Sequence, residues 1–412
     1  MATVSTVAMR VGRIAGAAGF GAGLSFGLQG LFAVVLLRLY LPVDVAAFSL
    51  VSQVAYLWTT LALAQAPVTW LVTARDGNVF RLKPQLSAIG CRFLYLSPLV
   101  YVALLISDTG NIVWIILSAA ALGLGQAGWQ LSQSITLIHA SEKAIVINRA
   151  LPPLVGLCVA LIGTRLVDIK GSTVLLVAAA LGYWFGAFWL LGSKKTTSAG
   201  NSYSVKSEQS DDRSTTLRIS HSATDALAML AIILVWQRLY GGAEAGYLAI
   251  ALRVLGFAPM LVHTAWAQVL LAHGRSLALR PLAMGGIGTV LVVLLGMACD
   301  FAIQRSWLAA SWLGLADYLV PVVIWQACAC IFAAYSHLSF RSNAASKMSY
   351  LSIIHNATLI VGLILPIALG VTWTPEQHLW GISIYSATAL LGLATRVVCF
   401  NTRHIEKAKR LL

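Results

Sequence analysis

The chain has 412 residues, of which 59% are hydrophobic and only 10% charged, with 28 Lys and Arg against 14 Asp and Glu. A soluble domain carries roughly 25% charged residues, so this composition excludes a water-soluble globular protein and gives a membrane chain room for about a dozen spans. The net charge of +14 does not point to nucleic acid, because carboxylates are scarce and Lys and Arg collect in the cytoplasmic loops of membrane proteins.

Twelve apolar runs follow in order, at 13–40, 45–73, 85–107, 111–139, 145–166, 171–193, 219–240, 245–272, 282–304, 307–337, 347–371 and 379–400. The first continues past signal-peptide length with no A-x-A-like site, and is expected to remain as a span. Within it Gly19, Gly23 and Gly27 share one face, a spacing that lets helices approach closely or bend. Pro67, Pro259, Pro321 and Pro366 fall inside runs and predict kinks. The six cysteines lie in or beside apolar runs, which predicts inert thiols rather than a disulfide or zinc framework.

Orientation follows from the basic residues. With the N-terminus inside, 20 of the 28 Lys and Arg fall on the cytoplasmic side, while Arg38, Arg165, Lys170, Arg238 and Arg305 fall outside. That bias predicts cytoplasmic termini at both ends. The longest polar break, SKKTTSAGNSYSVKSEQSDDRSTTLR, begins at Ser193 and reads as a flexible linker. The expected organisation is a six-helix lobe over 1–193, a linker over 194–218 and a second six-helix lobe over 219–412. Arg38-Leu39-Tyr40 with Asp44 returns as Arg238-Leu239-Tyr240 with Glu244, a spacing of 200. Such a return suggests two related halves. An even number of spans per half puts both in the same orientation.

Twelve spans split six and six, with this Arg-Leu-Tyr opening, resemble the polysaccharide-export branch of the MOP (multidrug/oligosaccharidyl-lipid/polysaccharide) superfamily, the Wzx-type flippases of O-antigen, capsule and exopolysaccharide synthesis. The matching residues are Asp225, Gly246-Tyr247, Arg253-Val254-Leu255 and Pro259, with a basic turn before Asn356 in AAYSHLSFRSNAASKMSYLSIIHNATL. The chain departs from the lipid II flippases in lacking two further C-terminal spans, and its fit to the multidrug (MATE) branch is looser. The resemblance implies an all-α, V-shaped pair of lobes around a cavity lined by spans 1, 2, 7 and 8. It also implies a bacterial inner-membrane location and an oligosaccharide on polyprenyl diphosphate as the cargo, flipped from the cytoplasmic to the periplasmic leaflet. A polysaccharide polymerase and a chain-length regulator would be its partners.

The chemistry of that task is independent of any family. A diphosphate must cross about 30 Å of hydrocarbon, so it needs a wet, cationic cavity in which Arg pairs with phosphate oxygens. Arg253 is the first candidate, and its alternative is snorkelling to the interface. Arg38 and Arg238 either gate one end of the cavity or anchor the interface beside Asp44 and Glu244. Arg13, Arg92 and Arg149 either capture the headgroup or follow the positive-inside bias. Sugar hydroxyls and rings need amides and aromatics: Gln29, Gln53, Gln126, Gln130 and Trp266 are the candidates, with Gln65, Gln133, Trp58, Trp129 and Trp236 also within runs. Gln126, Gln130 and Gln133 share a helix face.

Asp225 and Asp317 are expected inside spans, where a carboxyl can carry H⁺ or bind Na⁺. Asp225 could equally cap its helix. His263 and His355 titrate near neutrality when solvated, or serve as neutral hydrogen-bonded residues. No H-E-x-x-H or Walker A pattern occurs, so neither an enzyme, a cofactor nor an ATP-driven pump is expected. The competing readings are a cation-coupled multidrug exporter, which wants more intramembrane acid, and a membrane glycan polymerase or ligase, which wants a large outer loop.

Overall fold

The computed structural model describes residues 2–64, 66–67, 82–106, 112–139, 142–165, 170–192, 212–263, 281–341 and 345–410. Among them the chain is helical throughout, and 11 helices are long and apolar enough to cross a membrane. The chain is a multi-pass membrane protein. The expected run at 85–107 is instead two short helices, α3 (Leu82–Tyr95) and α4 (Ser97–Ile106). Pro98 is the reason. Without an amide N–H it cannot bond the Leu94 carbonyl, which accepts instead from the Ser97 hydroxyl at 2.7 Å.

The chain divides into two compact units, one of residues 1–40 and 47–212, the other of residues 41–46 and 213–412. The first holds α1 (Ala2–Leu39), most of α2 (Pro42–Leu63), α3, α4, α5 (Ile112–His139), α6 (Glu142–Gly163) and α7 (Gly171–Gly192). Helix α6 packs against both α1 and α7, and α7 against α5. Small residues make these approaches close. An added Cβ on Gly186 would lie 2.7 Å from the Pro152 ring, and one on Gly128 2.8 Å from Ala187. The Gly19, Gly23 and Gly27 stripe does not do this: no atom of the described residues lies within 4 Å of where their Cβ atoms would be. On α1 the close contact is at Gly21, 3.0 Å from the Val146 backbone of α6. The four-residue spacing identified a face, but the neighbour lies on another.

The second unit holds α8 (Asp212–Tyr240), α9 (Gly242–Leu255), α10 (Phe257–Leu261), α11 (Pro281–Gln304), a 3-10 turn (Ala310–Leu315), α12 (Ala316–Arg341), α13 (Ala345–Leu369) and α14 (Pro375–Arg410). Helix α12 is its centre, in contact with α9, α10, α11 and α14, and α13 lies on α14. Leu282, Ile287, Val290, Leu294 and Met297 leave one side of α11 apolar and exposed, the surface a span offers to lipid.

The first turn of α2, residues 41–46, belongs to this second unit. The Pro42 backbone lies so close to Gly246 that a Cβ there would fall 2.6 Å from the Pro42 carbonyl carbon. Only glycine accommodates such an approach. The turn before α9 also needs glycine, because Gly241 has φ of 90°.

Candidate functional site

The expected kink at Pro259 is present. Pro259 cannot donate to the Leu255 carbonyl, and the helix breaks at Gly256 into α9 and α10. Arg253 lies in the last turn of α9 and is half-buried. There the helix dipole favours a cation, so its position serves an anion and its own helix end alike.

Arg149 is 7% exposed, a burial that the loop-side reading did not anticipate. Gly21 makes it possible: a Cβ there would lie 3.4 Å from Arg149 Cδ, so α1 and α6 close over the stem of the side chain. One turn on, Pro152 and Pro153 sit inside α6, two kink residues the sequence reading passed over. Pro152 leaves the Asn148 carbonyl without its helical donor, and the Trp129 indole supplies one at 2.9 Å. The fully buried Asn148 side chain ties three helices, donating to Ser132 Oγ at 2.7 Å and to the Gly186 carbonyl at 3.2 Å. Counting four residues back from Pro152 would have found this site.

Trp58 is similarly occupied. It stacks on Phe93 and donates to the Phe93 carbonyl at 2.8 Å, beside the α3–α4 break. With Trp236 fully buried, the faces expected to meet sugar are packed inside their own units at Trp58 and Trp236. Gln126, Gln130 and Gln133 all lie on α5, half-buried. Gln53 is half-buried on α2, and Gln29 donates to Ser25 Oγ at 3.2 Å. Arg92 reaches the Ala62 carbonyl at 3.5 Å, where it complements the C-terminal end of α2. Arg38 and Arg238 are exposed in the last turns of α1 and α8. The Arg13 side chain, and all of Gln65 and Trp266, lie outside the described residues.

The carboxylates divide. Asp225 is no helix cap, because α8 begins at Asp212, more than three turns earlier. Asp317 is exposed in the first turn of α12, within the candidate span Ala310–Ser336. The preceding apolar residues form the 3-10 turn instead of extending the helix. His263 is exposed just past α10. His355 is half-buried, stacks on Tyr385 and accepts the Tyr385 hydroxyl at its carbonyl, 3.2 Å away.

One cluster lies outside every sequence expectation. Where α8 passes into α9, Trp236 Nε1 donates to the Tyr318 hydroxyl at 3.0 Å, and Tyr318 donates to Glu244 Oε2 at 2.5 Å. Glu244 was expected beside Arg238. The Tyr240 hydroxyl meets Nδ1 of the fully buried His378 at 3.0 Å, and Tyr247 donates to the Ser311 carbonyl at 2.8 Å. Four helices contribute, so no local pattern announces it.

No family model matches the chain, and no curated protein matches it. Solved structures do. The chain is similar to the lipid II flippase MurJ in an inward closed conformation, at 13% identity and a TM-score of 0.57, covering 95% of this chain and 90% of that one. It is also similar to the eukaryotic MATE transporter AtDTX14, at 14% identity and a TM-score of 0.55, covering 99% of each. At such identities the likeness concerns the backbone: this chain has the all-helical membrane fold common to MurJ and the MATE transporters.

Proposed function

We propose that this chain is a transporter of the MOP type that flips polyprenyl-diphosphate-linked oligosaccharide units between membrane leaflets. The supporting observation is where charge lies. Among the described residues, Asp44, Glu142, Glu244, Asp317 and Glu376 all fall in first helical turns, and Asp300 is near the end of α11. Asp225 and Asp317 lie further in, within the candidate spans Ile219–Tyr240 and Ala310–Ser336. Arg149 and Arg253 lie within spans too, clear of the first helical turns that hold most of the carboxylates. A path of that sign suits a diphosphate and penalises a cation.

In this reading Arg253 and Arg149 pair with phosphate oxygens, with Arg38, Arg238, Arg13 and Arg92 along the path. Gln126, Gln130, Gln53, Gln29 and Trp266 meet the sugars. The halves 1–193 and 219–412 rock about the bound headgroup, both termini stay cytoplasmic, and the membrane is a bacterial inner one. Asp225, Asp317, His263 and His355 are the groups that would carry the coupling ion, H⁺ or Na⁺. Reconstitution in liposomes with a fluorescent polyprenyl-diphosphate glycan tests the reading: translocation is expected in wild type and a large loss in Arg253→Ala at equal folded protein. Equal transport by the variant removes Arg253 from the path.

Asp225 carries the second reading, a cation-coupled multidrug exporter. It predicts transport of a lipophilic cation such as ethidium, lost in Asp225→Asn, with no movement of the glycan.

A further inference from the structure

His378 is the most enclosed titratable group at the α8–α9 junction, with 0% of its surface exposed. Three aromatic rings surround its imidazole: Trp236 with centroids 5.0 Å apart, Trp373 at 5.4 Å and Tyr240 at 6.0 Å. All fall within the roughly 6 Å over which a cation is held by a ring. Its Nδ1 meets the Tyr240 hydroxyl, while its Nε2 has no hydrogen-bond partner among the described residues.

The neighbouring chain of hydrogen bonds has a fixed direction. An indole only donates, so the Tyr318 oxygen accepts from Trp236 and its own proton points at Glu244. Glu244 Oε2 is therefore held as an acceptor. The pair at His378 has no such constraint. A phenol and an imidazole nitrogen each donate or accept, so one additional proton reverses the bond between them.

We propose that His378 is a proton-binding site of this chain, loaded through Tyr240. In the unloaded state the Tyr240 hydroxyl donates to Nδ1 and Nε2 carries the ring proton. Tyr240 is half-buried, so a proton from water arrives at the Tyr240 oxygen as the hydroxyl proton passes to Nδ1. The product is an imidazolium whose Nδ1–H donates to the Tyr240 oxygen, enclosed by the rings of Trp236 and Trp373. Every proton is accounted for and no other reactant is needed.

The other groups around the site are Tyr240 and the exposed Arg238 on α8, Glu244 and Tyr247 on α9, and Tyr318 and the exposed Asp317 on α12. On α14 itself the exposed Glu376 lies two residues away, and on α13 His355 is occupied with Tyr385 instead. Glu244 is the carboxylate of the cluster, bonded to Tyr318. Loading thus changes the bonds joining α8 to α14, while those joining α9 to α12 stay fixed. The site deepens the proposed ion coupling by naming the ion as a proton, and rests on that reading only for what the proton drives.

The test is tryptophan emission of the full chain in detergent, titrated between about pH 8 and 5, where an imidazole changes charge. An imidazolium against Trp236 quenches it, so wild type is expected to show a reversible transition that His378→Asn lacks. Tyr240→Phe keeps the imidazole and removes its charge-stabilising acceptor, so its transition is expected at lower pH. The same transition in wild type and His378→Asn overturns the proposal. Should His378→Asn not fold, Tyr240→Phe decides alone: a displaced midpoint supports the site and an unchanged one removes it. The titration needs no substrate, so a proton site without glycan transport would defeat only the flippase reading, and transport without the transition would defeat only the site.

Discussion

Arg-Leu-Tyr ends α1 and ends α8, and the two tyrosines do different work. Tyr40 is buried and donates to the Ala160 carbonyl of α6 at 2.7 Å, a bond of fixed direction that no change of pH within a membrane protein's range would alter. Tyr240 is half-buried and meets an imidazole. The same three residues therefore make a fastener in one half and a titratable junction in the other. The partner helix, rather than the repeated motif, decides which. The turns after them diverge as well: α2 begins at Pro42, whereas α9 follows Gly241 in a left-handed conformation.

The sharpest way to break the comparison is Gly246→Ala. At the repeat spacing the first half has Ala46, a buried residue with room for its methyl. At Gly246 the added carbon would meet Pro42 backbone, which cannot rotate away. The expected cost is about 3 kcal/mol, read as a lowered midpoint of thermal unfolding in detergent. Next is Trp129→Phe, which strands the Asn148 carbonyl that Pro152 has freed. About 2 kcal/mol of destabilisation is expected in the same assay, with the Trp58–Phe93 region of the first unit unaffected by limited proteolysis.

Arg253→Ala is expected to slow glycan translocation about tenfold, the ~1.4 kcal/mol of one lost charge-assisted contact, in the liposome assay. Tyr40→Phe loses one buried hydrogen bond, about 1 kcal/mol of thermal stability. Its tryptophan titration is expected to match wild type, which separates it from Tyr240→Phe. Gly242→Ala is the smallest. Its new carbon would meet the Val43 side chain at 3.3 Å, which can yield, so a change within about 0.5 kcal/mol is expected. A large loss there would show that the whole start of α9, not Gly246 alone, tolerates no side chain.

Much of the fold was legible. Long apolar runs must become helices in a bilayer, where every backbone group needs an internal partner. Run length and Pro259 therefore located most elements and the break after Arg253. Pro98 and Pro152 are equally readable, and each frees a carbonyl that a Ser or Trp side chain holds. The glycine stripe misled because periodicity names a face without naming its neighbour.

The sequence by itself determined that this is a multi-span helical membrane chain, rich in cations and poor in deep carboxylates, because hydrocarbon leaves no alternative to helix and penalises buried charge. Which side chains meet was decided only in three dimensions. Trp236, Tyr240, Glu244, Tyr318 and His378 come from four helices spread over more than 140 positions, and a period of 3.6 residues describes each helix without recording which others it will touch.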